Sequence, residues 1–67
     1  MKTPDRLLEM LQDSQWHSLA EIKKELFLPE NILIELSRFL QEMEFIEKEN
    51  NMLRIKSRGL KFLELPV

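Results

Sequence analysis

The stretch Leu28–Glu47, LPENILIELSRFLQEMEFIE, decides how this chain is read. Pro29 suits the start of a helix, because its missing N–H has no partner to lose there and its φ is already helical. Beyond it, Ile32, Leu33, Leu36, Phe39, Leu40 and Met43 recur on one helical face, within roughly 120° of arc at about 100° per residue. All of them are expected to point into the core. The opposite face carries Asn31, Ile34, Glu35, Arg38, Gln41 and Glu42. The stretch holds five glutamates against one arginine, so the helix that shapes the fold is acidic.

Upstream, Phe27-Leu28 reads as a turn. Before it, Leu19, Ile22 and Leu26 form the inner face of a short second helix, with Lys23 and Lys24 facing out. That helix opens on a capping box. Ser18 caps, and Glu21, three residues later, is expected to reach back to the amide of the cap. Trp16-His17 reads as a short extended piece, and Ser14-Gln15 breaks the pattern before it. Thr3-Pro4-Asp5 starts a first helix, with a capping hydroxyl, a proline at the first helical position and an acid in the first turn. Leu7, Leu8 and Leu11, helped by Met10, carry its apolar stripe to about Asp13.

Downstream, two strand-like runs, FIEKE and MLRIK, flank Asn50-Asn51. Asparagine tolerates positive φ, so this pair suits a tight hairpin turn. A two-residue turn sets Ile46 opposite Ile55, Lys48 opposite Leu53, and Glu47 opposite Arg54 on the other side. Ser57 is expected to cap a last helix, RGLKFLEL, which Pro66 ends. Gly59, the only glycine, is expected to allow close packing at the start of that helix. The chain therefore reads as mainly α with a small β-hairpin, an α+β class with the order α-β-α-α-β-β-α. The hairpin must cover one side of the helices, since a lone hairpin is unstable.

The chain has 67 residues, which suits a single domain over residues 1–67 with a small core. A charged fraction of 33% beside 43% hydrophobic residues describes a folded rather than a disordered chain. The absence of cysteine removes disulfides and thiolate metal sites, and fits a reducing, cytoplasmic setting. The N-terminal MKTPDRLLEM has no signal-peptide core, and the sequence has no apolar run that could span a membrane. His17 is the only histidine and is expected on a partly exposed strand; no metal-ligand spacing surrounds it. Trp16 is expected in the core, between the first helix and the strands. No nucleophile–base–acid set, phosphate loop or metal cluster appears, so the expectation is a binding protein without cofactor, not an enzyme.

Residues 4–65 resemble the winged helix-turn-helix superfamily, and within it the small archaeal and bacterial transcription-regulator-like domains. SLAEIKKEL carries the likeness for the second helix, RFLQEMEFIE for the passage from third helix to wing, and LRIKSRGLKFLE for the second wing strand and last helix. Members of that superfamily often place glycine in the turn after the second helix and just before the wing. Here Phe27 and Glu44 stand at those places. The expectation is that both turns shift to a geometry without positive φ.

The resemblance implies double-stranded DNA as partner, with the third helix in the major groove and the wing on the backbone. It nominates Asn31, Ile34, Glu35 and Arg38 for bases. Arginine pairs with guanine, asparagine with adenine, and an apolar side chain meets the thymine methyl. It nominates Lys48, Asn50, Asn51, Arg54 and Lys56 for phosphates, with Lys23, Lys24 and Arg58 as further cations. It also implies a homodimer through the terminal helices, so the leftover Leu65 and Val67 are read either as its contacts or as a frayed apolar tail.

Charge sets a competing expectation. The formal net charge is −2, whereas phosphate neutralisation supplies most DNA affinity. Residues 21–47 carry three positive and seven negative side chains, a net of −4, and residues 48–67 carry five positive and two negative, a net of +3. Glu35 and Glu42 stand at helical spacing from Arg38 and are expected to pair with it. Glu47 opposes Arg54. The alternative use of the scaffold is a protein-interaction module, in which the acidic second and third helices, around an exposed Ile34, meet a basic partner protein.

Overall fold

The computed structural model describes residues 3–64, with side chains from Asp5 onward. Its elements are α1 (Thr3–Met10), β1 (His17–Ser18), α2 (Leu19–Leu26), α3 (Glu30–Glu42), β2 (Ile46–Glu49), β3 (Met52–Ile55) and α4 (Ser57–Phe62). This is the order expected from the sequence. The hairpin has the anticipated register, with Ile46 opposite Ile55, Glu47 opposite Arg54 and Lys48 opposite Leu53. β1 adds a third antiparallel strand in the order β1-β3-β2, with His17 opposite Leu53 and Ser18 opposite Met52. The hairpin is therefore held from its far side as well as by the core.

The alternation of β2 and β3 turns Ile46, Leu53 and Ile55 to one face of the sheet, where they are buried. Leu7, Leu8 and Leu11 close the core from α1 and its C-terminal turn, Ile22 and Leu26 from α2, and Leu33 and Leu40 from α3. The capping role given to Thr3 and Pro4, and the readings of Leu65, Pro66 and Val67, lie outside the residues whose side chains are described.

The buried face of α3 differs from the expectation. Leu33, Ser37 and Leu40 are buried and Leu36 is half-buried, whereas Ile32, Phe39 and Met43 remain 42%, 51% and 38% exposed. The helix is turned by roughly 50° about its axis from the orientation that would centre all six apolar residues on the core. The apolar arc is wider than the surface that covers it. Ser37 tolerates burial because its hydroxyl donates to the Ile34 carbonyl at 3.0 Å, which leaves no unpaired polar group.

Both turns lacking glycine keep the left-handed conformation rather than avoiding it. Phe27, at φ 55° and ψ 42°, ends α2, and its N–H donates to the Lys23 carbonyl. Glu44, at φ 63°, ends α3, where Glu44 N–H donates to Gln41 O and Phe45 N–H to Leu40 O, each at 2.9 Å. That pair of bonds is a Schellman ending, and only a left-handed residue between them reverses the chain tightly enough. The next element must start at a fixed place, so the turn geometry wins over the residue's own preference. Each such non-glycine residue costs on the order of 1–2 kcal/mol. In the hairpin, Asn50 takes φ 57° and Asn51 does not take a positive value.

Ser18 caps α2 as expected, its Oγ accepting from the Glu21 N–H at 3.0 Å. Glu21 does not complete the box: its carboxylate lies 3.2 Å from Nδ1 of His17 instead. Ser57 is the first residue of α4 rather than its cap. Lys56 holds the cap position, without a side-chain hydrogen bond, and the helix ends at Phe62. Gly59 is buried, and a Cβ there would stand 2.5 Å from the Phe45 carbonyl oxygen and 2.7 Å from Ile55 Cγ1. The absence of a side chain is what lets α4 lie against the end of β3.

Candidate nucleic-acid interface

The start of α2, the first turns of α3 and the hairpin tip enclose an open cleft of about 450 Å³. The Leu19 N–H donates to the Asn51 carbonyl at 2.9 Å, which pins the tip of the hairpin to the first turn of α2. Lys23 from α2, Ile34 from α3, and Lys48 and Asn51 from the hairpin line the cleft together. These four come from the twelve residues nominated on sequence grounds. Ser18 and Glu30 line it as well. Sequence reading gave Ser18 only a capping role and gave Glu30 none. Glu30 stands 3.8 Å from the Lys23 ammonium, a loose exposed pair that solvent screens.

The other nominated residues divide into two groups. Asn31 and Arg38 are exposed on the same outward side of α3 as Ile34, and Lys24 is exposed on α2. Arg38 makes no ion pair among the described residues, so the expected pairing with Glu35 and Glu42 does not form. Asn50 is exposed beside Asn51 at the hairpin tip.

Arg54 and Lys56 are not presented to the cleft. They line a separate, shallower hollow with Ser14, Glu47 and Ser57. Arg54 donates from Nε at 2.9 Å and from Nη2 at 2.7 Å to Glu47 Oε2, and its guanidinium lies 4.5 Å from the centroid of the Trp16 ring. Lys56 stands 3.5 Å from Glu44. The alternation of β3 explains this, because Arg54 points away from the core face that Leu53 and Ile55 occupy and toward Glu47 across the strand pair. Trp16 is half-buried, and it carries the arginine rather than filling the core. Arg58 is exposed in the first turn of α4 and lines neither hollow.

A charged cluster that the sequence did not reveal joins the segment after α1 to β1 and the first turn of α2. His17 Nε2 lies 2.9 Å from Asp13 Oδ1, and Nδ1 lies 3.2 Å from Glu21 Oε2. The imidazole side chain is only 13% exposed. A carboxylate only accepts, so both contacts are satisfied at once when both ring nitrogens carry protons. The Asp13 hydrogen bond raises the His17 pKa above its ordinary 6.5; burial works against this, and Glu21 adds to it. Asp13 in turn falls below its ordinary 3.8, first through the Gln15 backbone N–H and then through His17.

Among the described residues no group of three or more histidine, cysteine, aspartate or glutamate side chains could hold a metal ion, and no helix is long and apolar enough to cross a membrane. What the cleft offers is two ammonium groups, one of them facing the Glu30 carboxylate, with an amide and apolar side chains on a concave surface beside an exposed helix. That set can hold an anionic backbone and touch an uncharged edge. No family model, no characterised protein and no solved structure matches the chain.

Proposed function

We propose that the chain is a single winged helix-turn-helix domain that binds duplex DNA as a regulator of transcription, without cofactor and without catalysis. The reading is supported by the element order, by the third strand that ties the hairpin to α2, and above all by the meeting of Lys23, Ile34, Lys48 and Asn51 around one cleft beside α3. In this reading α3 turns Asn31, Ile34 and Arg38 to the base edges in the major groove. Lys48 and the Asn50-Asn51 tip meet the phosphate backbone, with Lys23 and Lys24 on the near side.

One of the wing cations is engaged elsewhere. Arg54 is hydrogen-bonded to Glu47, whereas Lys56 stands 3.5 Å from Glu44 in an exposed pair that solvent screens, so phosphate contact in the wing falls to Lys48, with Lys56 at its base. Few phosphates are neutralised per protomer, and the affinity of one copy is accordingly weak at physiological salt. A homodimer through the terminal helices doubles the contacts on a two-fold related site.

The test is an anisotropy titration of a labelled generic duplex with the protein and with two single variants, Lys48→Glu and Arg54→Gln. Low-salt binding that drops with Lys48→Glu and survives Arg54→Gln supports the reading. Equal loss in both variants, or no association with the duplex, sinks it.

A further inference from the structure

The rotation of α3 leaves a strip of apolar surface that the core does not use. Ile32, Phe39 and Met43, spaced i, i+7 and i+11, are 42%, 51% and 38% exposed and lie on one edge of the helix, continuous with the half-buried Leu36. Together they leave on the order of 300 Å² of apolar surface open, the size of the larger patches on single-chain proteins, which often mark contact sites. Glu35 and Glu42 run along the outer margin of the strip. Both are exposed, and neither makes an ion pair among the described residues. The outward residues Ile34 and Arg38 lie beyond this acidic margin, so the strip and the cleft sit on different sides of one helix.

We propose that this edge of α3 docks an amphipathic helix of a partner protein, one whose apolar stripe is flanked by lysine or arginine. Three arguments choose that occupant. The strip follows the i, i+4, i+7, i+11 rows of one helix face, which match the anchors of a second helix laid along it. Its area falls well short of the roughly 800 Å² per side of a standard globular interface, so it suits a single element. Its margin is acidic and unopposed, within a region of residues 21–47 whose net charge is −4. A second copy of the chain is disfavoured by the same charge, because a two-fold interface sets each patch against itself and brings Glu35 and Glu42 against their own equivalents. A basic flank on the incoming helix instead meets both carboxylates, as charges beside the seam of a coiled coil do. Nothing in this proposal depends on DNA binding.

The experiment uses a fluorescein-labelled helical peptide with leucines at i, i+4, i+7 and i+11 and lysines along one flank, beside a twin in which glutamate replaces lysine. Each is titrated against the whole protein, against Phe39→Glu, against Ile32→Ser and against the double variant E35K/E42K, with folding of each checked by circular dichroism. The lysine peptide is expected to bind the protein at least about tenfold more tightly than its twin. Phe39→Glu is expected to weaken it by a similar factor, although the substitution adds negative charge that would strengthen a merely diffuse attraction. Ile32→Ser weakens it without any change of charge, and E35K/E42K reverses the preference between the two peptides. Equal binding by Phe39→Glu, or an unchanged peptide preference in E35K/E42K, overturns the proposal. So does a concentration-dependent dimer in sedimentation that Phe39→Glu abolishes, since the occupant is then a second copy.

Discussion

Arg54 stacks its guanidinium 4.5 Å from the centroid of the Trp16 ring. Glu47 holds it there from across the hairpin, accepting two hydrogen bonds on one oxygen. The cation that pattern alone would send to a phosphate is thus committed to joining the sheet to the segment after α1. Replacing it tests structure more than binding. Arg54→Ala removes the cation–π contact and leaves Glu47 without its partner. Both groups are partly solvated, so the loss of stability should be about 1 kcal/mol, read from urea denaturation monitored by Trp16 fluorescence. An unchanged midpoint would show that the stack contributes nothing.

Phe27 offers the opposite case. It is 88% exposed and left-handed, at φ 55°. Glycine adopts that conformation without the Cβ clash, and little packing is lost with the ring. Phe27→Gly is therefore expected to stabilise the fold by about 0.5–1 kcal/mol, despite the greater freedom of glycine in the unfolded chain. The check is chemical denaturation of the two proteins side by side, and a loss of stability would show that the ring packs on something in solution.

Gly59→Ala should destabilise, although alanine is the better helix former. The new Cβ would meet the Phe45 carbonyl at 2.5 Å, and a backbone oxygen cannot step aside as a side chain can. Overpacking of this kind costs about 1–3 kcal/mol, more than the helical gain of about 1 kcal/mol. A thermal midpoint equal to or above that of the unsubstituted protein contradicts the packing of α4.

His17 makes stability depend on pH. Its pKa is raised in the fold from an ordinary 6.5. Its contribution is therefore fully present below that value and is lost as pH rises through the folded pKa. Asp13, lowered from 3.8, contributes above that value and loses its share as pH falls through the folded pKa. The urea midpoint should fall as pH rises above 6.5 and through the folded pKa of His17, and the fall should vanish in His17→Gln. An NMR titration of the imidazole reads the same pKa directly, and a midpoint at or below 6.5 would contradict the two-carboxylate geometry.

What the sequence made legible and what it hid follow from the range of the interactions. The hairpin register was readable because alternation and a two-residue turn leave one pairing open, and Ser18 was readable as a cap because capping is a local bond. The rotation of α3 was not, since an apolar arc shows which residues can be buried but not how wide a surface will cover them. A polarity pattern also counts Ser37 as outward, while its hydroxyl satisfies itself on the Ile34 carbonyl. Around the cleft, Lys23, Ile34, Lys48 and Asn51 were found by their residue type and position. The removal of Arg54 by Trp16 needs contacts between distant segments, which no spacing rule contains. The Asp13–His17–Glu21 cluster has i, i+4 spacing, but it spans the break between α1 and α2, where helical spacing gives no ground to expect contact. Phe27 and Glu44 stood out as departures from a glycine pattern, yet only the Schellman bonds show that the left-handed geometry outlasts the loss of glycine.

The most direct measurement is the salt dependence of duplex binding by the protein and by Lys23→Glu/Lys48→Glu. Low-salt affinity is expected to weaken with a shallow slope as salt rises, because few phosphates are neutralised, and to be clearly reduced in the double variant. Binding that ignores salt, or a double variant that binds as tightly as the parent, would contradict the claim that the cleft beside α3 is the DNA-facing surface.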